Sequence, residues 1–154
     1  MRTHQKIIFA TDYGGAEQSG AICAKLAEFG DVVDISTEHP ELKHYVALTE
    51  EASRHAAKEE CCAVLICGTG IGISIVANKQ KGIRAARCVS VEDAKDARLV
   101  NDANILCLPG RTLENDREEL KSILETWFST DFEGGRHDRR ISKIETLTQK
   151  EADQ

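Results

Sequence analysis

One uninterrupted apolar run, Cys61–Cys67 (CCAVLIC), constrains the fold of this chain more than any other feature. A strand with one face in water alternates apolar and polar residues, but every position of this run is apolar. Strands that are buried on both faces of a parallel sheet have this pattern, because helices cover both faces. The run therefore predicts a central strand that lies between two layers of helices.

Strand-like and helix-like segments alternate along the rest of the chain, which is typical of βαβ units. The predicted strands are Lys6–Thr11, Asp31–Ile35, Cys61–Cys67, Ile83–Cys88 and Asn104–Leu108, and the predicted helices are Gly15–Phe29, Ala47–Lys58, Ile73–Lys79, Ser90–Leu99 and Glu114–Phe128. This order predicts an α/β fold, a Rossmann-like doubly wound parallel sheet. In such sheets ligands bind beyond the carboxyl ends of the strands.

The C-terminal segment differs from the rest of the chain. The sequence predicts one α/β domain over residues 1–135, in keeping with a length of 154 residues, followed by a C-terminal helix and a polar tail over 136–154. The helix, predicted for Arg136–Lys150, has only a weak apolar face. We therefore expect it to pack on a partner subunit.

Composition and charge exclude several classes of function. The net charge of −6 and an isoelectric point near 5.4 argue against nucleic acid or an anionic membrane surface as the main partner. No apolar run reaches the ~18 residues of a transmembrane helix. The N-terminus leads directly into the first strand without the apolar region of a signal peptide, so we expect a cytoplasmic protein.

The six cysteines do not form a recognisable disulfide or metal framework. They are Cys23, Cys61, Cys62, Cys67, Cys88 and Cys107, with no C-x-x-C pair and no Cys/His cluster at zinc spacing. Most are expected to be small buried hydrophobic residues. Cys67 is the exception, because a glycine-rich loop follows it.

That loop, Cys67-Gly68-Thr69-Gly70-Ile71-Gly72, is the strongest local motif. It does not match the dinucleotide fingerprint, whose third glycine would fall at Ile73, and it lacks the Gly-Lys-Ser/Thr of a P-loop. A glycine turn that opens a helix can hold a phosphate or a developing oxyanion, or it can be only a tight turn. A thiol beside a helix N-terminus is readily deprotonated and can act as base or nucleophile. Cys67 could equally be a core position of the strand.

Two further features could contact an anion or a sugar. Arg136 and Arg140 are four residues apart and would share one helix face, where two guanidinium groups suit a phosphate dianion or form a solvated basic patch. Asp12 follows the first strand, a position that commonly reaches the ligand in doubly wound folds.

Together these segments resemble the ribose-5-phosphate isomerase B family, which includes the subunits of galactose-6-phosphate isomerase. The resemblance covers roughly residues 6–145. Its matching segments are Asp12-Tyr13-Gly14-Gly15, Leu65–Ser74, Ala77-Asn78-Lys79, Gly82-Ile83-Arg84-Ala85, Asn101-Asp102-Ala103-Asn104, Gly110-Arg111 and Glu133-Gly134-Gly135-Arg136-His137.

The resemblance implies an aldose–ketose isomerase of phosphorylated sugars that works through a cis-enediolate, without metal or organic cofactor. It implies a homodimer or homotetramer with composite active sites. Cys67 would be the base, and Thr69 with the N–H groups of Gly68, Gly70 and Gly72 would stabilise the enediolate. Asp12, Tyr13 and Asn101 would contact the sugar, and Arg111, Arg136, His137 and Arg140 the phosphate.

The sequence departs from the family pattern at three places. Val100 stands where the family has a histidine that opens the sugar ring, Tyr13 replaces a histidine after Asp12, and Glu41-Leu42-Lys43 replaces Asp-Tyr-Pro, although Tyr45 remains. A valine cannot transfer a proton, whereas a tyrosine can still donate a hydrogen bond. The enolisation residues are thus kept and the ring-opening residues altered.

Three interpretations of these departures remain open. The protein could be a ribose 5-phosphate isomerase in which the ring opens by another route. It could act on a tetrose 4-phosphate, such as erythrose 4-phosphate, which has no free hydroxyl to close a furanose. It could also be one subunit of a two-chain isomerase. A phosphosugar-binding regulator would have no need of a thiol over an oxyanion loop.

Overall fold

Five parallel strands form one sheet in the computed structural model, which describes residues 5–12, 19–59 and 61–147. The strand order is β2-β1-β3-β5-β4. The strands are β1 (Gln5–Thr11), β2 (Gly30–Asp34), β3 (Cys62–Cys67), β4 (Ala85–Arg87) and β5 (Ile105–Pro109). The run that predicted a central strand is confirmed as β3, which is buried at every position and pairs with β1 and β5.

Helices connect the strands, as the alternation predicted. They are α1 (Ser19–Leu26), α2 (Ile35–Glu38), α3 (Tyr45–Glu59), α4 (Ile71–Asn78), α5 (Val91–Leu99), α6 (Gly110–Leu113), α7 (Arg117–Ser129) and α8 (Asp138–Leu147). No helix in these described ranges has the length and apolar character to cross a membrane.

Two apolar layers cover the sheet, one on each face. Strand alternation points Phe9, Val64 and Leu106 toward one layer, which includes Ile123 and Trp127 of α7. Neighbouring strand residues point the other way, toward a layer that α2, α3 and α4 supply with Ile35, Leu48, Ala52, Ile73 and Ala77. The doubly wound arrangement expected from the sequence is therefore present.

Local capping moves several boundaries away from their predicted places. Helix α7 begins at Arg117 and not at Glu114, because the Asp116 side chain accepts the Glu119 N–H at 3.0 Å and so caps the helix. The predicted helix over Arg136–Lys150 is instead a 3₁₀ turn, Gly135–His137, followed by α8. Residues 13–18 and 148–154, where helices were predicted to begin and end, lie outside the described residues.

Candidate active site

The carboxyl ends of β1 and β3 meet where the strand order reverses. From β1 the sheet continues to β2 on one side, and from β3 it continues to β5 on the other. In doubly wound sheets this switch point is where ligands bind. Asp12 follows β1 directly, and its N–H donates to the Ile66 carbonyl at 3.2 Å. This bond places the Asp12 backbone beside the end of β3 and hence beside Cys67.

Cys67 is the last residue of β3 and is 6% exposed. Its Sγ accepts a hydrogen bond from the Gly70 N–H at 3.1 Å. Gly70 has φ +70°, and a Cβ there would lie 3.1 Å from the Leu108 carbonyl carbon. Only glycine suits both the left-handed backbone and the close approach. The turn thus brings an amide directly to the thiol.

Helix α4 begins immediately after this turn. The Thr69 Oγ1 accepts the Ile71 N–H at 3.2 Å, which occupies one amide of the first turn. The remaining first-turn N–H groups of a helix have no partner within the helix itself and carry its positive end. These N–H groups would therefore stabilise an oxyanion bound above Cys67. An anion-binding turn is one of the two interpretations that the glycine motif allows.

Three larger side chains surround the loop. The Arg111 N–H donates to the Gly68 carbonyl at 3.1 Å, and its guanidinium lies over Gly68, with Nε 3.0 Å from where a Cβ would stand. The Tyr45 ring packs on Gly72 in the same way, with Cε2 2.8 Å from that glycine's Cβ position. Arg87 Nε donates to the Thr69 carbonyl at 2.7 Å.

Arg87 was not among the candidate residues from the sequence. The fourth strand was predicted to run to Cys88, so the residues after it, from Cys88 to Ser90, were the ones expected at the carboxyl edge. The strand ends one residue earlier, at Arg87. The predicted strand contains two arginines, Arg84 and Arg87, and the position of Arg87 near its carboxyl end was the available signal.

Four other thiols have pKa values that burial raises. Burial raises the pKa of Cys88 to about 12 and that of Cys23 to about 11, and it also raises the pKa of Cys107 and of Cys61. These four thiols therefore stay protonated at neutral pH. None of the six cysteines, all of which lie in the described ranges, forms a disulfide there.

A second group of predicted site residues lies at the amino ends of the strands. The Glu133 N–H donates to the Leu99 carbonyl at 3.0 Å, which ties the Gly135–His137 turn to the end of α5. Asn101 follows that end and is exposed. Arg136, His137 and Arg140 belong to the turn and to the start of α8. The structure thus brings these four residues together at the amino ends of the strands.

The two groups do not meet within one chain. The Ala63 N–H donates to the Asn104 carbonyl at 3.0 Å, so the Asn101–Asn104 segment lies at the amino end of β3. Cys67 ends the same strand four residues later. At ~3.3 Å per residue the groups are about 13 Å apart along the sheet. Cys67 and Asn101 of the same chain therefore lie at opposite ends of the strands.

His137 is a buried polar residue of the second group. Its side chain is 5% exposed, and Nε2 lies 2.8 Å from Glu133 Oε2. Among the described residues, nothing accepts from or donates to its buried Nδ1. The Glu133 carboxylate therefore fixes the His137 ring through Nε2. The side chains of Arg136 and Arg140 are exposed.

Other residues of the matched segments have structural partners. Asn104 accepts the Arg84 N–H through Oδ1 at 2.8 Å and donates to the Gly82 carbonyl through Nδ2 at 2.8 Å. Asp102, with φ +44°, forms ion pairs with Arg98 and Arg84. Arg84 also pairs with Glu145 of α8. These contacts account for those positions without any substrate.

One departure from the family pattern lies beside the second group. Val100 follows α5 directly beside Asn101, and its N–H donates to the Asp96 carbonyl at 3.0 Å. Its aliphatic side chain carries no group that can transfer a proton. Tyr13 lies outside the described residues.

A cavity of about 600 Å³ follows the outer edge of β4. Arg84 and Asn101 line one end and Arg87 the other, and Ile144 and Leu147 of α8 also contribute, but Cys67 does not. The Cys67 thiol therefore lies outside this cavity.

The glycine turn at the switch point and the arginine-bearing turn at the opposite ends of the strands both lie within the segments that resemble one protein family. The chain belongs to the ribose/galactose isomerase family, whose model matches residues 7–144, and it is a sugar phosphate isomerase. It is 37% identical over 150 residues to ribose-5-phosphate isomerase B of Escherichia coli (strain K12), covering 95% of this chain and 98% of that protein.

Solved structures agree with this assignment. Ribose-5-phosphate isomerase B of Clostridium thermocellum superposes with a TM-score of 0.85 at 37% identity, covering 94% of this chain and 98% of that one. A type B ribose 5-phosphate isomerase of Trypanosoma cruzi superposes with a TM-score of 0.87 at 32% identity, covering 95% and 99%. The family and fold expected from the sequence are confirmed.

Proposed function

We propose that this protein interconverts ribose 5-phosphate and ribulose 5-phosphate through a cis-enediolate, with Cys67 as the base. The Cys67 thiolate takes the proton from C2 of the open-chain aldose, and the electron pair of that bond forms the C1–C2 double bond of the enediolate. In the same step the electron pair of the C1 carbonyl moves to O1. The resulting thiol then returns a proton to C1 while the proton on O2 passes to O1, which leaves the C2 carbonyl of the ketose.

The observation that carries this proposal is the Gly70 N–H bonded to the Cys67 Sγ at the start of α4. A proton acceptor and a set of backbone donors lie within one turn, as proton abstraction next to a carbonyl requires. Gly68, Gly70, Gly72 and Thr69 would stabilise the charge that develops on the substrate oxygens. No metal or organic cofactor takes part in this step.

The phosphate and the far end of the sugar would be held by a second copy of the chain. The Asn101–Asn104 segment lies about 13 Å along the sheet from Cys67 of the same chain, and Arg136, His137 and Arg140 belong to the same group as Asn101. A partner's copy of this group could approach the Cys67 loop, where Asp12 and Arg111 would complete the site. The sequence predicts that Tyr13 also contacts the sugar. In this proposal α8, in which no residue is buried, packs on the partner.

A tetrose 4-phosphate is the second candidate substrate, and Val100 favours it. Erythrose 4-phosphate carries its phosphate on O4 and so cannot close a furanose ring. An enzyme for such a substrate needs no residue that transfers a ring-opening proton. The same Cys67 chemistry would convert it to erythrulose 4-phosphate.

Proton NMR in deuterium oxide tests both candidates. The purified protein is incubated with ribose 5-phosphate or with erythrose 4-phosphate, and deuterium incorporation next to the carbonyl is followed. We expect exchange with ribose 5-phosphate that disappears in Cys67→Ala. Arg117→Ala, a change of an exposed arginine on α7, serves as the matched control and should exchange like the unmodified protein.

The other outcomes identify the alternatives. Much faster exchange with erythrose 4-phosphate would replace the pentose with the tetrose as substrate. Exchange with neither sugar would contradict action by this chain alone and would favour a two-chain isomerase. Exchange that persists in Cys67→Ala would overturn Cys67 as the base.

A further inference from the structure

One peptide group links Arg87 to the thiol of Cys67. The Thr69 carbonyl accepts from Arg87 Nε at 2.7 Å, and the Gly70 N–H of the same peptide donates to Cys67 Sγ at 3.1 Å. In a trans peptide the carbonyl and the N–H point in opposite directions across one rigid plane. The two hydrogen bonds therefore fix the orientation of that plane from both sides.

The positive charge of Arg87 can polarise the Thr69–Gly70 peptide. Arg87 ends β4 at the carboxyl edge and is exposed, and among the described residues no carboxylate forms an ion pair with it. Hydrogen bonds from a charged donor are stronger than neutral ones, and successive hydrogen bonds polarise one another. A guanidinium on the Thr69 carbonyl thus makes the Gly70 N–H a better donor to an anionic sulfur.

Arg111 is not hydrogen-bonded to the Thr69–Gly70 peptide in this way. Its backbone N–H bonds the Gly68 carbonyl, and its guanidinium lies over Gly68, one peptide away from the Thr69–Gly70 plane. The two arginines therefore approach the loop at different points. Of the two, the side chain of Arg87 is the one bonded to the peptide that contacts the thiol.

We propose that Arg87 is a positioning residue for the isomerase reaction, which stabilises the thiolate of Cys67 through the Thr69–Gly70 peptide. Arg87 contacts neither the sulfur nor the substrate in this role. The inference rests on the proposed function only in taking Cys67 as the base, and a measurement on the thiol itself can test it without any substrate.

Alkylation of Cys67 by iodoacetamide at neutral pH is that measurement, followed by mass spectrometry of the peptide that contains Cys67. Thiolates react and thiols do not, so the rate reports the anionic fraction. Loss of one charge-assisted hydrogen bond should slow the reaction about tenfold in Arg87→Ala. Arg87→Lys should react at an intermediate rate, and Arg117→Ala at the original rate.

Chemical rescue separates a positioning role from a general loss of structure. Because Arg87 is exposed, guanidinium ion added below denaturing concentrations can enter the space left in Arg87→Ala and bond the Thr69 carbonyl. We expect it to restore both alkylation and turnover in Arg87→Ala and to leave Arg117→Ala unaffected. Turnover in Arg87→Ala should fall about tenfold in kcat with KM unchanged.

Two results would overturn the proposal. An alkylation rate that is unchanged or faster in Arg87→Ala would mean that Arg87 does not stabilise the thiolate. A raised KM with kcat intact would make Arg87 a substrate-binding residue instead. Full isomerase activity in Cys67→Ala would contradict the proposed function, whereas the alkylation rates would still decide the role of Arg87.

Discussion

At the residue scale, the Cys67 loop depends on positions where a side chain is excluded. Gly70 has a left-handed backbone packed against Leu108 and Pro109, and Gly72 has the Tyr45 ring against it. Gly70 shapes the loop through its left-handed conformation, and Gly72 through the space that it leaves for the Tyr45 ring. Thr69 contributes its carbonyl and hydroxyl as hydrogen-bond acceptors. The chemistry of the site therefore rests on backbone geometry as much as on the thiol.

Substitution of Gly70 by alanine should lower both stability and activity. The left-handed conformation costs a non-glycine residue about 1–2 kcal/mol, and the new Cβ would meet the Leu108–Pro109 backbone. Any shift that relieves the contact also moves the Gly70 N–H away from Cys67. We expect a lower urea midpoint and a loss of turnover.

Gly20→Ala is the matched control for this change. Gly20 lies in α1, where a Cβ would meet nothing within 4 Å. Alanine in a helix is favoured over glycine by about 0.5–1 kcal/mol, so this variant should unfold at a higher urea concentration. Equal effects of the two substitutions would contradict the role assigned to the Gly70 backbone.

At the element scale, the end of α3 is joined to the start of β1. Glu59 accepts from Lys6 Nζ at 2.5 Å and lies 2.8 Å from His55 Nδ1. These partners, Lys6 first, lower the pKa of Glu59 from its usual 4.5 to about 2. A carboxylate with a lowered folded-state pKa stabilises the protein above the unfolded pKa, and this contribution is lost as pH falls through the folded pKa.

Glu59→Gln should therefore destabilise the protein in a pH-dependent way. At pH 7 the variant should melt at a lower temperature than the unmodified protein. The difference should shrink from about pH 4.5 downward and vanish near pH 2, where Glu59 itself becomes protonated. Thermal unfolding measured across this range checks the prediction, and a difference that does not depend on pH would contradict it.

At the scale of the whole molecule, the sheet and its two helical layers could be predicted from the sequence more completely than the positions of the site residues. Apolar runs and their alternation with helices depend on local pattern, so the buried β3 and both helical layers could be predicted. Glu114 and Arg136 were misplaced as helix starts, because capping by Asp116 and the turn at Gly135 depend on geometry that periodicity does not contain.

The separation of the site residues also could not be predicted from local pattern. Cys67 ends a strand and Asn101 follows a helix, but only the sheet register places them at opposite ends of the strands. Arg87 was missed because the strand ends one residue before the predicted end. The contacts of Tyr13 lie outside the described residues, so its predicted contact with the sugar stays a prediction.

Complementation between inactive variants tests whether two chains build each site. Cys67→Ala and Arg136→Ala should each be inactive as pure proteins. Mixed and refolded in equal amounts, they should recover about a quarter of full activity, because half the dimers are mixed and each mixed dimer has one intact site. Turnover after mixing is the measurement.

Arg136→Ala mixed with Asn101→Ala is the control, since both residues lie in the same group and no intact site can form. Recovery in this control equal to that in the first mixture would contradict a site divided between chains. So would a mixture of Cys67→Ala and Arg136→Ala that exchanges subunits and stays inactive.

The backbone groups of Ala85 on the outer side of β4 are already hydrogen-bonded, and this limits how copies of the chain can associate. Asn78 donates to the Ala85 carbonyl at 2.9 Å and accepts the Ala85 N–H at 2.8 Å, so its side chain takes the place of a neighbouring strand. An unprotected edge strand can pair with another molecule and lead to aggregation. With the outward N–H and carbonyl of Ala85 satisfied in this way, a strand of a second molecule cannot pair with β4 at this residue.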